Sequence, residues 1–343
     1  MQTIHVGFIG AGKSTHRYQA PFILRRPEKF TITKIFARHL DHIKWEKIPG
    51  VTYTDDLEAV LADENIDLIV VSTPVMHYEY TKMALEHGKN VVCEKPFTDT
   101  YKQAKELFDL AKEKHLLCMA IQNRRFDSDF LTTQKVIESG LLGNILEVNM
   151  CYDYYRPDVP LNANHFDPYH GYLYGHACHT LDQALSYFGM PKNHHFEVRQ
   201  LLGKGRMNDY FDLDLFYDKG LKVSVQSSYF RVKARARFTV YGTKGTFIKQ
   251  SEDRQEFDLK RFYMPTPDHP DFGVDLPSDY GTVYYYDDHG DYHEEVIQSV
   301  NGDYARYYDA VYDSLVNEAP LLVKPEETLT QLAFLEEGIK QCF

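Results

Sequence analysis

The sequence is poor in the features that mark secreted, membrane and nucleic-acid-binding proteins. Its five cysteines lie at 93, 118, 151, 178 and 342 without a CxxC pair, so we expect reduced thiols and a cytoplasmic protein. No stretch approaches the roughly 18 consecutive apolar residues of a membrane helix, and no signal-peptide pattern opens the chain. A formal net charge of −12 argues against a nucleic acid or an anionic membrane as partner.

What remains is the composition of an ordinary folded protein. Hydrophobic residues make up 43% of the sequence and charged residues 26%, as is typical of globular chains. A length of 343 residues is enough for two domains with separate cores. Because the pattern changes character after residue 121, we predict one domain over 1–121 and a second over 122–343.

The first third of the chain alternates strand and helix patterns. The strand patterns are TIHVGFIG (3–10), FTITKIF (30–36), DLIVVSTP (67–74), NVVCEKP (90–96) and LLCMAI (116–121). The helical patterns are DDLEAVLADENI (55–66), HYEYTKMALEHG (77–88) and DTYKQAKELFDLAKEKH (99–115). This βαβ series predicts an α/β fold with a doubly wound parallel sheet.

The rest of the chain predicts a different architecture. Strand patterns joined by tight turns are ILEVNMCYDYY (145–155), YFDLDLFYD (210–218), KVSVQSSYF (222–230) and ARFTVYG (236–242). Hairpin turns are predicted at 218–220, 242–245 and 288–290, and helices near 171–188, 303–317 and 325–341. We therefore expect a C-terminal α+β domain with a large, mostly antiparallel sheet.

The turn after the first strand matches two phosphate-binding patterns. Residues 7–14, GFIGAGKS, have the spacing of a P-loop, whereas residues 10–12, GAG, open a dinucleotide-binding turn. Phe8 and Ile9 continue the apolar run past the first glycine, which leaves a turn too short for a P-loop, so we favour the dinucleotide. The predicted cofactor contacts in this segment are Gly10, Gly12, Lys13, Ser14 and Thr15, the last replacing the third glycine of the fingerprint.

The end of the second strand bears on the choice between NAD and NADP. An NAD site places Asp or Glu there for the ribose 2′-hydroxyl, and that carboxylate would repel a 2′-phosphate. Here Ala37 stands where the acid is expected, and Arg38 follows. A guanidinium favours phosphate, so we predict NADP. NAD is the alternative, because Asp41 is close enough in sequence to take the place of the acid.

The most specific feature is VVCEKPFTDT, residues 91–100. A buried strand ends in Glu94-Lys95-Pro96 at the carboxyl edge of the sheet, where α/β folds bind ligands. A lysine at that edge can place a positive charge beside a developing alkoxide. The alternative interpretation is a lysine that merely precedes a helix.

These segments resemble the glucose–fructose oxidoreductase / inositol dehydrogenase family, often written Gfo/Idh/MocA. The resemblance rests on GFIGAG (7–12), STPVMHYEYTKMALEHGKNVVCEKP (72–96) and GHACHTLDQ (175–183). The segments QNRRFDSDFLTT (122–133) and YDYYRP (152–157) further resemble the branch that includes NADP-dependent scyllo-inositol dehydrogenases. The resemblance implies a Rossmann domain and a substrate domain whose sheet often forms the oligomer interface, hence a homodimer or homotetramer through the C-terminal sheet.

The resemblance also assigns roles to individual residues. Lys95 matches the family lysine that contacts the nicotinamide and the reacting hydroxyl, and His179 matches the histidine usually taken as the proton-transfer residue. Further cofactor contacts are expected from Thr73, Pro74, His77 and Glu94. Substrate contacts are expected from Asn123, Arg124, Tyr154, His176, His179 and Asp182.

One position departs from the family pattern. Many members carry an aspartate four residues before the histidine, whereas this chain has Gly175 there. We therefore expect Asp182 or a substrate hydroxyl to orient His179, or Lys95 to take a larger share of the chemistry.

A cluster of histidines also suggests a metal site. His176 and His179 are spaced i, i+3, and His165 and His170 precede them. No acidic residue of a zinc-binding pattern accompanies them, so we predict no metal.

Together these features predict an NAD(P)-dependent oxidoreductase, most simply an NADP-linked one. It would transfer a hydride reversibly between a ring hydroxyl and ketone of a cyclic polyol or sugar resembling scyllo-inositol. Two alternatives stay open. One is a non-catalytic NADPH-binding sensor or scaffold, which the missing carboxylate at Gly175 keeps in view. The other is a C=N or C=C reductase on the same framework.

Overall fold

Two β-sheets, of six and eight strands, organise the chain. The computed structural model describes residues 2–162, 166–169 and 171–343. The chain divides into two units, each built on one sheet. The first unit comprises Met1–Asn123, Phe257–Phe272 and Tyr304–Thr330, and the second comprises Arg124–Glu256, Gly273–Asp303 and Gln331–Phe343. The proposed domain boundary between residues 121 and 122 stays a prediction.

The six-stranded sheet is parallel throughout, which confirms the predicted fold class for this part of the chain. Its strands are β1 (Ile4–Ile9), β2 (Phe30–Phe36), β3 (Thr52–Thr54), β4 (Leu68–Val71), β5 (Asn90–Cys93) and β6 (Cys118–Ala120). Their order is β3-β2-β1-β4-β5-β6. The strand order therefore reverses between β1 and β4, which is where open α/β sheets bind ligands. All four residues of β4 are buried, as expected of a strand covered on both faces.

Helices connect these strands. They are α1 (Ala20–Leu24), α2 (Glu58–Leu61), α3 (His77–Glu86) and α4 (Tyr101–Glu113), and α9 (Ala305–Val316) joins the same unit from later in the chain. The helix predicted over 55–66 is shorter than expected. Asp63 accepts the backbone N–H of Asn65 at 3.0 Å, a local turn that competes with helical bonding and ends α2 early.

The eight-stranded sheet confirms the predicted α+β architecture of the second unit. Its strands are β7 (Ile145–Cys151), β8 (Asn193–Arg199), β9 (Tyr210–Phe216), β10 (Lys222–Ser228), β11 (Phe238–Gly242), β12 (Gly245–Lys249), β13 (Gly281–Tyr286) and β14 (Tyr292–Ile297), in the order β14-β13-β12-β11-β7-β10-β9-β8. Only the β7–β10 pair is parallel. All three predicted hairpins form, as β9–β10, β11–β12 and β13–β14.

The remaining helices are α5 (Ser128–Glu138), α6 (Asp158–Asn162), α7 (Cys178–Phe188), α8 (Arg254–Lys260) and α10 (Pro325–Ile339). A π-helical turn over Leu173–Ala177 leads into α7, so the helix predicted near 171–188 has two segments. Within the described part of the chain, none of the helices combines the length and apolar content needed to span a bilayer.

Candidate active site

The glycine turn follows β1 directly. Gly10 has φ +114°, and a Cβ there would lie 3.0 Å from the backbone carbon and oxygen of Ser72, so the position requires glycine. A Cβ on Gly12, by contrast, would meet nothing within 4 Å. The turn is therefore closed on the side of β4 and open on the other, where a ligand's phosphates could approach the backbone.

Threonine in place of the third glycine ties this turn to the neighbouring strand. The Thr15 hydroxyl donates to the Gly10 carbonyl oxygen at 2.6 Å and lies 2.6 Å from the Ser72 hydroxyl. A π-helical turn over Ser14–Gln19 follows, and regular α-helix begins only at Ala20, with a proline next. The regular helix therefore begins late, one residue before Pro21.

An open cleft with about 650 Å³ of empty space lies at the carboxyl ends of β1, β2 and β4. Its lining includes Gly10, Gly12, Ala37, Arg38, His39, Thr73 and Pro74. Arg38 is exposed, and within the described residues no carboxylate forms an ion pair with it. The cleft is lined by the open glycine turn and by Arg38. Ala37 occupies the position where an NAD site would carry an acidic residue. These residues fit the phosphates and the adenosine ribose of a dinucleotide.

Glu94 and Lys95 end β5 at the same edge of the sheet. The Glu94 carboxylate accepts hydrogen bonds from the Ser14 hydroxyl, from the Gln19 amide at 2.6 Å and from the Lys95 backbone N–H at 3.1 Å. Tyr308 donates in turn to the Gln19 amide oxygen at 2.7 Å. Glu94, predicted as a cofactor contact, therefore holds the helical turn after the glycines and the backbone of the predicted catalytic lysine.

His77 braces the ends of two strands. Its Nδ1 lies 2.6 Å from the Pro96 carbonyl oxygen, and its Nε2 lies 2.7 Å from the Thr73 carbonyl oxygen. Thr73 follows β4 and lines the cleft, and Pro96 follows Lys95. The histidine predicted to line the cofactor thus fixes the backbone on which two other predicted site residues are carried.

His16, which the sequence analysis missed, supports the glycine turn. Its Nδ1 lies 3.1 Å from the Gly12 carbonyl oxygen and its Nε2 3.0 Å from the Tyr53 hydroxyl. Burial lowers the pKa of His16 and raises the pKa of Tyr53, so a neutral imidazole can donate to Gly12 and accept from Tyr53. Trp45, the only tryptophan of the chain, stacks on His16 with ring centroids 5.7 Å apart.

The second unit carries the predicted proton-transfer residue. His179 is buried in the first turn of α7, and His176 lies in the π-helical turn before it. Gly175 belongs to that same turn, and a Cβ added there would meet no atom of the described residues within 4 Å. The position where many family members carry aspartate is therefore open in this chain.

Asp182, the residue proposed to orient His179, has another strong partner. Both carboxylate oxygens of Asp182 bind the Arg125 guanidinium, at 2.6 and 2.7 Å, in a buried bidentate pair. Arg124 lies 3.3 Å from Asp127 and 3.1 Å from Glu256. The predicted substrate contacts of Arg124 and Asp182 stay predictions.

Tyrosines surround His176 in the second unit. Its ring centroid lies 4.5 Å from that of Tyr172, 5.3 Å from Tyr154, 5.8 Å from Tyr229 and 6.1 Å from Tyr152. Burial raises the pKa of Tyr154 well above its ordinary value, so its hydroxyl stays protonated. The structure thus groups His176 and Tyr154, two of the predicted substrate contacts, in one aromatic cluster.

The remaining predicted residues are more scattered. Lys13 is exposed and caps the π-helical turn after the glycines, and Asn123 is the last residue of the first segment of unit one. Two members of the histidine cluster that suggested a metal site, His165 and His170, lie outside the described residues. Where side chains are described, one group has metal-ligand spacing, the exposed His39, Asp41 and His42, with ligand atoms within 4.8 Å. The prediction that no metal is bound stays untested.

Two family models cover nearly the whole chain. The oxidoreductase family with an NAD-binding Rossmann fold matches residues 4–122, and the C-terminal α/β domain of the same family matches residues 134–343. The chain belongs to the Gfo/Idh/MocA oxidoreductase family. The P-loop interpretation is therefore wrong, since β1 runs through Gly7 and leaves only a short turn after it.

Relatives in the Gfo/Idh/MocA family extend over the full length. The uncharacterized oxidoreductase YhhX of Escherichia coli is 44% identical over 98% of this chain and 96% of its own. The NADP⁺-linked scyllo-inositol 2-dehydrogenase IolW of Bacillus subtilis is 33% identical over 99% and 94%. A crystal structure of a probable oxidoreductase, yhhX, superposes with a TM-score of 0.92 at 43% identity, over 99% of this chain and 97% of that one.

Membership in Gfo/Idh/MocA settles the class of chemistry. The chain is an NAD(P)-dependent dehydrogenase acting on CH–OH groups, with a Rossmann domain that binds the nucleotide. Relatives that match over less of the chain include a D-xylose 1-dehydrogenase and a levoglucosan dehydrogenase. The substrate is accordingly a small molecule of the sugar or polyol kind.

Proposed function

We propose that this dehydrogenase uses NADP and oxidises a ring hydroxyl of a cyclic polyol or sugar of the scyllo-inositol kind. The choice of NADP rests on Arg38, which is exposed and lines the cleft. The preceding residue, Ala37, stands where an NAD site would have an acidic residue. The NADP⁺-linked relative IolW supports the same choice. Gly10, Gly12, Lys13, Ser14 and Thr15 would hold the pyrophosphate, and Arg38 would hold the 2′-phosphate.

When bound, the nicotinamide accepts the hydride that leaves the substrate carbon. Lys95 provides an ammonium group for the reacting oxygen, which lowers the cost of negative charge on it as the carbonyl forms. His179 takes the hydroxyl proton, because an imidazole titrates near neutral pH. Because the Nδ1 atom of His179 is buried, we assign Nε2 as the atom that accepts the hydroxyl proton.

Other residues would position Lys95 and the cofactor or bind the sugar ring of the substrate. Glu94 fixes the backbone N–H of Lys95, and His77 fixes the carbonyl groups of Thr73 and Pro96. Thr73 and Pro74 would border the nicotinamide. In the second unit, Tyr154 offers an aromatic face to the apolar side of a sugar ring.

The oligomer that we propose forms through the eight-stranded sheet. Large apolar or aromatic side chains are exposed on one face of β11, β13 and β14, at Tyr241, Tyr286, Tyr292 and Val296. An apolar patch of this kind marks a protein–protein contact. Tyr292→Glu combined with Val296→Asp should convert a dimer or tetramer to monomers in size-exclusion chromatography, and a monomeric wild-type protein would contradict the proposal.

The direct test of function is NADP⁺ reduction, followed at 340 nm, across a panel of inositol isomers and aldoses. Turnover with at least one cyclic polyol or sugar, and a lower KM for NADP⁺ than for NAD⁺, is expected. Tight NADPH binding without turnover on the panel would instead favour the sensor alternative. NADPH consumption only with C=N or C=C substrates would favour the reductase alternative.

A further inference from the structure

An arginine continues the aromatic cluster around His176 on one face of the second sheet. The chain after β7 stays extended: the backbone N–H groups of Tyr152, Tyr154 and Arg156 bond to carbonyl oxygens of the neighbouring segment, each at 2.9 Å. Side chains two residues apart on an extended chain point to the same side. Tyr152, Tyr154 and Arg156 therefore form a row, and the first two contact His176.

The Arg156 guanidinium stacks on Tyr154. Its central carbon lies 4.1 Å from the ring centroid, and that ring lies 5.3 Å from His176. Stacking leaves the edge of a guanidinium plane free to donate, with a geometry that matches carboxylate and phosphate oxygens. The arginine is exposed, and no carboxylate of the described residues forms an ion pair with it.

Two other arginines near this row, Arg237 and Arg235, are already neutralised. Arg237 stacks on Tyr152 at 4.2 Å but lies 3.1 Å from Asp129. Arg235 binds Asp153 at 2.8 Å. The charges of these two arginines are therefore taken up by the fold, and the charge of Arg156 is not.

Further cations lie on the adjoining segment. The Arg231 backbone N–H bonds to the Tyr154 carbonyl oxygen at 3.0 Å, and the side chains of Arg231 and Lys233 are exposed. In a chain with a formal net charge of −12, this is a local concentration of positive charge beside an aromatic cluster. Such a patch attracts anions.

We infer that the physiological substrate carries an anionic group, a carboxylate or a phosphate monoester, and that Arg156 stacked on Tyr154 binds it. This inference rests on the proposed function, because it places the sugar ring at the His176 cluster. It narrows the substrate class from neutral polyols to acidic or phosphorylated ones. It also makes Arg156 a specificity-determining residue.

The test compares matched neutral and anionic compounds. The first set is D-glucose, D-glucuronate and D-glucose 6-phosphate; the second is myo-inositol and myo-inositol 1-phosphate; the third is D-galactose and D-galacturonate. NADP⁺ reduction gives kcat/KM, and calorimetric titration of the NADP⁺-loaded protein gives Kd without requiring turnover. The variants are Arg156→Gln and, as a control with the same loss of charge, Lys192→Gln. Lys192 is exposed, precedes β8 at the end of the β8–β9 pair that lies far from Tyr210, and forms an exposed ion pair with Asp218.

Wild type is expected to prefer the anionic member of at least one set by about tenfold or more. Arg156→Gln should lower kcat/KM for that member about 10- to 100-fold, the range for a charged hydrogen bond. It should leave the neutral member within about twofold, and Lys192→Gln should change neither. Preference for the uronate or for the phosphate identifies the anion.

Equal use of neutral and anionic compounds by wild type would overturn the inference, even though the dehydrogenase assignment would stand. Equal losses for both compounds in Arg156→Gln would also overturn it, because they indicate a structural role. If no compound is oxidised, Arg156-dependent binding of an anionic sugar supports the inference although the proposed reaction fails. Failure of every anionic compound to bind contradicts it.

Discussion

The side-chain amide of Gln19 donates a hydrogen bond of 2.6 Å to the carboxylate of Glu94. The same carboxylate accepts from the Ser14 hydroxyl and from the Lys95 backbone N–H. One buried acid thus connects the segment that follows the glycine turn with the strand end that carries the predicted catalytic lysine. The glycine turn and the predicted catalytic lysine are therefore positioned by the same group.

Replacing this acid should weaken both the fold and cofactor binding. In Glu94→Gln, the amide NH₂ meets at least one of the present donors, which leaves a buried donor without an acceptor. We expect the free energy of unfolding in urea to fall by about 1–3 kcal/mol, and the Kd for NADPH to rise. Glu106→Gln breaks an exposed pair with Lys82 and should cause no comparable loss. Equal urea midpoints for the two variants would refute this role of Glu94.

The cofactor preference should depend on Arg38. Arg38→Gln removes the guanidinium at the cleft and should raise the Kd for NADPH about 10- to 100-fold, since charged hydrogen bonds contribute about 1.5–3 kcal/mol. The Kd for NADH should stay within about twofold. Fluorescence titration measures both, with Trp45 as donor to the bound nicotinamide. Lys44→Gln, an exposed cation in the same loop, is the charge-matched control. Parallel losses for the two cofactors would argue against a 2′-phosphate at Arg38.

His77 should act through the backbone that it holds. His77→Ala leaves the Thr73 and Pro96 carbonyl oxygens without their ring contacts. We expect the KM for NADP⁺ to rise about tenfold or more while kcat changes less, because the lysine and the proton-transfer histidine stay in place. His87→Ala, at the end of the same helix, serves as control. A fall in kcat at constant KM would place His77 in the chemical step instead.

The stability of the protein at low pH tests the role of Asp63 in the first unit. Hydrogen bonds from Lys34 at 2.7 Å and from the Asn65 N–H at 3.0 Å lower the pKa of Asp63 to about 2. Because this pKa lies below the unfolded value of about 3.9, the carboxylate stabilises the fold above about pH 4. That contribution is lost as the pH falls toward 2.

Asp63→Asn should therefore lower the free energy of unfolding by about 1 kcal/mol at pH 7, with a smaller difference from wild type at pH 3. Urea denaturation at pH 7, 5 and 3 measures the trend. Asp109→Asn, which breaks an exposed pair with Lys105, should show little dependence on pH. A difference that stays constant or grows as the pH falls would show that the Asp63 charge is not the cause.

Much of the fold could be predicted from local patterns. Buried strands without polar alternation indicated the parallel sheet, and turn residues at 218–220, 242–245 and 288–290 marked three hairpins that form. Strand β8 and helix α5 went unpredicted, because their burial depends on distant partners. The sequence NHHFEVR of β8 becomes an edge strand only through its pairing with β9.

The candidate site was predictable where its residues follow strand ends, and not where they meet through the fold. Arg38, Glu94 and Lys95 each lie one or two residues after the end of a strand, so sequence position alone placed them at one edge of the sheet. The contact between Gln19 and Tyr308 spans 289 residues, and no local pattern announces it. The replacement of the family aspartate by Gly175 was visible in the sequence, but only the structure shows that the position is open.

We propose that Lys95 binds the reacting oxygen in an NADP-linked dehydrogenase reaction. The most direct measurement is the turnover of Lys95→Ala with the preferred polyol or sugar, beside its Kd for NADPH, with the exposed Lys102→Ala as control. We expect kcat to fall on the order of 10²- to 10⁴-fold, the Kd for NADPH to stay almost unchanged, and the control to show normal kinetics. Wild-type turnover in Lys95→Ala would contradict it.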